Sequence, residues 1–153
     1  MEQTMYQETF ETPFGALTVL ASETGVTEVR RGGGEDRPNQ WTALAAAQLR
    51  DYLAGTRAAF DLPLEPAGTP FQRRVWDELV RVPFGAAVTY GELARRAGCR
   101  SPRAVGQAVG RNPILILIPC HRVLAANGRL GGFSAGLPVK EFLLNLEKIP
   151  FQK

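Results

Sequence analysis

The chain has 153 residues, 44% of them apolar, a net charge of +3, two cysteines and one histidine. That length holds one domain or two small ones, and no run approaches the roughly 20 apolar residues of a membrane span. The polar, acidic start Met1–Thr12 has no signal-peptide pattern, and Cys99 and Cys120 are too few for a disulfide framework or a cysteine zinc site, which points to reduced thiols in a cytosolic or nuclear protein without a metal centre.

Tyr6–Thr12, Ala16–Ser22 and Val26–Arg31 read as short strands, separated by the turns Pro13-Phe14-Gly15 and Glu23-Thr24-Gly25. Gly32-Gly33-Gly34 and Pro38 break the pattern. Trp41, Leu44, Ala45, Leu49, Tyr52 and Leu53 then recur at helical spacing, with Gly55 as the stop. Phe60–Leu64 reads as one more extended piece, and Glu65–Gly68 as the boundary between a domain at 1–68 and another at 69–153. The first half carries no recognisable chemistry.

The second half opens on a helix with three agreeing signals. Thr69 is an N-cap, Pro70 suits the first helical position, and Gln72 completes a capping box. Phe71, Val75, Leu79 and Val82 supply its apolar stripe, and Pro83-Phe84-Gly85 stops it. Thr89-Tyr90-Gly91-Glu92 is a second capping box, opening a helix through Ala97. Gly98-Cys99-Arg100 is a short turn, and Ser101-Pro102 open a helix from Arg103 to about Gly110. Helix, short glycine turn, helix is the helix-turn-helix pattern. Ala104, Gly106, Ala108 and Gly110 leave its second helix thin, which suits close approach to a narrow groove. The fold class expected is α/β: a small N-terminal α/β domain with a short antiparallel sheet, then a mostly helical C-terminal domain with a helix-turn-helix.

The apolar run Ile114–Ile118 reads as a buried strand or core segment, and Pro119 turns the chain after it. Cys120 and the single histidine, His121, follow at once. A thiol beside a side chain that titrates near neutrality is how a nucleophilic cysteine is presented. An isolated cysteine after an apolar run is nonetheless more often a small core hydrophobe. Asn127-Gly128 marks a turn, Gly131–Gly136 a glycine-rich loop, and a last helix spans about Pro138 to Glu147. Glu147 shares a face with Leu143 and Leu144, so it is either an exposed edge residue or a buried partner of His121.

Charge is unevenly divided. Residues 1–68 carry five arginines against ten acidic residues; residues 69–153 carry thirteen Lys and Arg against five acidic ones, so the halves stand at −5 and +8. A basic half meets a polyanion or serves as a solubilising surface. Its arginines cluster at Arg73, Arg74 and Arg81, at Arg95, Arg96, Arg100, Arg103 and Arg111, and at Arg122 and Arg129.

The chain resembles the O6-alkylguanine-DNA alkyltransferase family. The likeness rests on Phe84-Gly85 before Thr89-Tyr90, Arg103-Ala104-Val105-Gly106, Asn112-Pro113, Ile116–Val123, Gly132-Phe133-Ser134, Gly136-Leu137, Lys140-Glu141 and Glu147. It implies direct-reversal DNA repair: one irreversible transfer of an alkyl group from O6 of a flipped guanine to Cys120, without a cofactor. In that family His121 would deprotonate Cys120 through a water and Glu147 would orient His121. Tyr90 would donate a proton to guanine N3, and Asn112 would brace the turn before the cysteine segment. Arg103 would fill the gap left by the flipped nucleotide, on a thin helix that enters the minor groove with Thr89, Pro102, Ala104 and Gly106 near the DNA. Val123, Phe133 and Ser134 would line the base pocket. The expected partner is double-stranded DNA containing O6-alkylguanine; the expected state is a cytoplasmic monomer, nucleoid-associated if the source is bacterial, with no membrane contact.

Two departures stand out. Leu115 replaces a proline found in many members, and Phe133 replaces a tyrosine found in some, so Phe133 inherits no polar role. Three rivals remain. A non-transferring alkyltransferase-like sensor would lack Cys120, a transcription regulator would need base-reading side chains on the second helix, and a cysteine hydrolase would need an oxyanion hole and turnover.

Overall fold

The computed structural model describes residues 5–153; residues 1–4, part of the N-terminal stretch read as lacking a leader, lie outside the described residues. The chain is mixed α/β and divides into two compact units. One comprises the chain up to Ala67 together with Pro113–Leu115, the other Gly68–Asn112 and Ile116–Lys153. Among the described residues no helix is long and apolar enough to cross a membrane.

The first unit is built on an antiparallel sheet of β1 (Tyr6–Thr12), β2 (Gly15–Ala21) and β3 (Val26–Arg31) in that order. Register runs through Thr9 opposite Thr18 and Val19 opposite Val29, with a bulge at Leu20/Ala21. Strand alternation turns Leu17, Val19 and Ala21 inward, where α1 (Gln40–Leu53) covers them with Ala45, Ala46, Leu49 and Tyr52. Thr18, on the opposite face of β2, is also buried and is satisfied by bonds to Gly32 O (2.6 Å) and Thr9 Oγ1 (2.8 Å). Phe60–Leu64 is not a strand. Only Leu64 forms a bridge, parallel to Val26.

Ile114–Ile118 is a core segment, as one of the two sequence alternatives has it. Every residue in it is buried and Ile114 pairs in parallel with Val29, but the segment makes only isolated bridges and no continuous strand. Ile116 takes φ +71°, which no extended strand accommodates, and the chain leaves the first unit there.

The second unit contains α2 (Pro70–Val80), β4 (Val88–Thr89), α3 (Tyr90–Arg96), α4 (Pro102–Gly110), a 3-10 turn (Cys120–Arg122), β5 (Val123–Leu124) and α5 (Leu137–Leu146). Both capping boxes form, Thr69 with Gln72 and Thr89 with Glu92, and Ser101 caps α4. Helices α2, α3 and α4 pack on one another around Val75, Leu79, Leu93 and Val105. Trp76 is buried and donates its indole N–H to Ala108 O at 2.9 Å. A two-residue parallel pairing, Val88 with Val123 and Thr89 with Leu124, ties the start of α3 to the end of the cysteine turn. Tyr90 follows one of these strands directly, and the Cys120–Arg122 turn leads into the other.

Candidate active site

Pro119 cannot extend a helix, and the chain turns tightly through Cys120–Arg122. Cys120 is 2% exposed. It borders a cavity of about 220 Å³ lined by Tyr90, Gly106, Val109, Gly110, Gly132, Phe133 and Ser134. Asn112, just past α4, donates through Nδ2 to Ile118 O (2.8 Å) and to Cys120 Sγ (3.1 Å). It thus spans the turn and holds the sulfur at once. Burial pushes the Cys120 thiol up to about 11, against the Asn112 hydrogen bond and the Lys140 charge, which lower it. The resting sulfur is therefore a neutral thiol.

His121 is fully buried, and its Nε2 lies 2.6 Å from Glu147 Oε2. Burial pulls the imidazole below its ordinary value more strongly than Glu147 lifts it, and Arg122 and Lys140 push the same way as burial. The contact is accordingly a hydrogen bond from a neutral imidazole, with the proton on Nε2 and the lone pair on Nδ1. Glu147 caps the C-terminus of α5 and is 3% exposed, which settles the buried alternative. Its carboxylate accepts four bonds: Oε2 from His121 and from Arg122 Nη2 (3.0 Å), Oε1 from Arg122 Nε (2.8 Å) and from the Gly85 N–H (3.0 Å).

Sequence reasoning missed the two cations of this network. The charge pattern groups Arg122 with arginines that face a polyanion or form a solubilising surface, but it is 6% exposed. Besides Glu147 it donates to Val82 O at 2.7 Å, and its guanidinium lies 6.0 Å from the Phe84 ring centre. Lys140 is buried in a cage of main-chain carbonyls, donating to Val123 O (2.7 Å), Leu130 O and Gly132 O (3.2 Å). Burial draws its ammonium down to about 8, with Cys120 acting in the other direction. For Arg122 the signal available in the sequence was position, between the apolar Ile114–Cys120 stretch and Val123-Leu124, where an unpartnered charge is not tolerated; Lys140, next to Glu141, gave no such signal.

Tyr90, the first residue of α3, is half-buried at the cavity wall. Burial chiefly, and the nearby Cys120, raise its phenol, while the Gly132 main chain lowers it. Its ring lies against Gly106, where an added Cβ would sit 3.7 Å from ring carbons. Gly106 therefore serves the cavity as much as the outer face of α4. Val123 does not line the cavity; it is fully buried, and its carbonyl accepts Lys140. Leu115 is buried within the first unit.

On α4, Pro102 and Arg103 are exposed and Ala104 is half-buried. Thr89 is committed to capping: its hydroxyl accepts the Glu92 N–H at 3.1 Å. Arg95, Arg96, Arg100, Arg103 and Arg111 are exposed around the two helices and form no ion pair among the described residues.

The family model described as 6-O-methylguanine DNA methyltransferase, DNA binding domain, matches residues 70–149, and that described as its ribonuclease-like domain matches residues 5–66. The chain is 43% identical to the methylated-DNA–protein-cysteine methyltransferase of Methanosarcina acetivorans, the match covering 94% of this chain and 98% of that protein. It is 38% identical to the constitutive methylated-DNA–protein-cysteine methyltransferase of Bacillus subtilis, covering 97% and 98%. The crystal structure of Mycobacterium tuberculosis OGT in complex with DNA superposes with a TM-score of 0.83 at 40% identity, covering 93% of this chain and 92% of that one. The chain belongs to the 6-O-methylguanine DNA methyltransferase family.

Proposed function

We propose that this protein repairs DNA by direct reversal, moving the methyl group of O6-methylguanine onto Cys120 once per chain. The observation that carries this reading is a buried cysteine on the wall of a base-sized cavity, followed in the chain by a histidine whose Nε2 is hydrogen-bonded to the buried Glu147. In the reaction the Sγ–carbon bond forms as the carbon–O6 bond breaks. The thiol proton passes to His121, through a bridging water, and guanine departs as a neutral base when Tyr90 protonates N3. Glu147 stabilises the imidazolium formed on the way, which is the logic of a triad. Asn112 holds the sulfur on line. A thioether is no leaving group, so the acceptor is spent after one transfer.

O6 is shielded inside a duplex, so the base must be flipped out at a cost of a few kcal/mol. The exposed, unpaired Arg103 at the start of α4 suits insertion into the gap. The small residues of α4 favour minor-groove approach, with residues 69–153 as the DNA-binding and acceptor domain and 1–68 as a cap. Phe133 and Ser134 form the base-facing wall. A monomer acting on DNA in the cytoplasm completes the reading. Cys120→Ala should abolish methyl transfer while duplex binding persists; continued demethylation by that variant overturns the mechanism. Arg103→Ala should slow repair of a duplex more than reaction with a free O6-alkylguanine base, and equal losses would remove the insertion role.

A further inference from the structure

His121 has to accept a proton, yet it is bonded to the Glu147 carboxylate, which favours an imidazolium while burial opposes the charge. An imidazolium cannot act as a base. The groups around it decide which form is present. Glu147, at the end of α5, bonds to Nε2; Lys140, also on α5, and Arg122, on the same turn as His121, bring positive charge; Cys120 precedes it on that turn. In the loop after α2 the charged side chain, Arg81, is exposed and paired with Glu78, and the loop contributes Val82 O to Arg122 and the Gly85 N–H to Glu147.

We propose that Arg122 is a positioning residue of the transfer reaction: it neutralises Glu147 through both carboxylate oxygens and so keeps His121 a neutral base with its lone pair on Nδ1. The geometry favours arginine. Nε and Nη2 meet the two carboxylate oxygens as a fork, at 2.8 and 3.0 Å, while Nη1 is anchored on Val82 O. Glu147 is then held by Arg122 and Gly85 independently of His121, so its charge is compensated before the histidine is protonated. It remains available to stabilise the imidazolium only when the thiol gives up its proton. Lysine, a single point donor, can keep the charge but not the fork.

This assignment rests on the alkyl-transfer reading, but its test does not. The chain has one histidine, so ¹⁵N-histidine labelling gives one imidazole spin system whose shifts report tautomer and protonation across pH. Wild type should be neutral and protonated on Nε2 at pH 7. Arg122→Met should raise the titration midpoint of His121 by about one unit or more, a tenfold change in neutral base below the midpoint. Its methyl-transfer rate at pH 7 should fall in proportion and recover at higher pH. Arg122→Lys should keep His121 neutral at pH 7 and retain the wild-type pH profile at a reduced rate. A wild-type imidazolium at pH 7, an Nδ1–H tautomer, or an Arg122→Met titration matching wild type overturns the assignment. If Arg122→Met fails to fold, the wild-type and Arg122→Lys spectra still decide it. Absence of methyl transfer in wild type with the expected spectra would refute the alkyl-transfer reading instead.

Discussion

Replacing Glu147 by glutamine is the sharpest probe of how the buried network is held together. Glutamine has the same shape, but its amide nitrogen is a donor. Each carboxylate oxygen of Glu147 accepts two donors, so whichever way the amide turns, an NH2 group faces two N–H groups. At least one hydrogen bond is lost even if His121 changes tautomer to accept at Nε2, and Arg122 is left as a buried cation without a countercharge. Breaking a buried ion pair from one side costs about 3–5 kcal/mol, a large part of the 5–15 kcal/mol that typically separates folded from unfolded protein. Arg122→Met should cost less, because His121 can take up a proton and compensate Glu147. The double variant Arg122→Met/Glu147→Gln should regain most of the stability lost by Glu147→Gln, since the penalty lies in the unpaired charge rather than in the missing bonds. Urea unfolding of the four proteins measures this as a double-mutant cycle. A loss below about 1 kcal/mol for Glu147→Gln, or single costs that simply add, would refute the reasoning. Methyl transfer should be lost in both proteins carrying glutamine.

Two further outcomes follow from the cavity. Gly131 has φ +67°, and an added Cβ would meet Tyr90 at 3.1 Å from the hydroxyl oxygen and 3.2 Å from a ring carbon. Gly131→Ala should therefore displace the proton donor and slow single-turnover transfer by tenfold or more, as misplacements of about 1 Å do, while duplex affinity stays near wild type; an unchanged rate would mean Tyr90 does not need that position. The Cys120 thiol, pushed up from 9.0 to about 11, holds roughly 100-fold less thiolate at neutral pH than an ordinary one. Its alkylation by iodoacetamide, followed by peptide mass, should be correspondingly slow at pH 7 and climb with pH toward 11; a plateau near pH 9 would show an unperturbed thiol.

The resting neutrality of the thiol fits a protein that can react only once. A standing thiolate would be consumed by any small electrophile. A buried thiol that ionises only as a base is aligned with it reserves the acceptor for its substrate.

Local signals in the sequence carried the helices of the second unit. Thr69-Pro70-Gln72, Thr89-Glu92 and Ser101-Pro102 are short-range chemistry, and short-range chemistry is what a sequence displays. The cap of α1 was missed because Asn39 pairs with Thr42, where glutamate or glutamine is the usual partner. The two-residue β4–β5 ladder was missed because its halves lie more than 30 residues apart and neither has a pattern of its own. Cys120 and His121 were legible by adjacency. The fate of Glu147 and Arg122 was not, because burial of a charge is decided by partners 25 residues distant. Arginine between His121 and the buried Val123 was read as surface for want of that partner.

The account stands or falls on intact and peptide mass after mixing the protein with a duplex holding one O6-methylguanine. It predicts a gain of one methyl group on the Cys120 peptide, saturating at one per chain, with guanine restored in the DNA. Duplex binding without any mass gain, or repeated turnover with an unmodified Cys120, would contradict it.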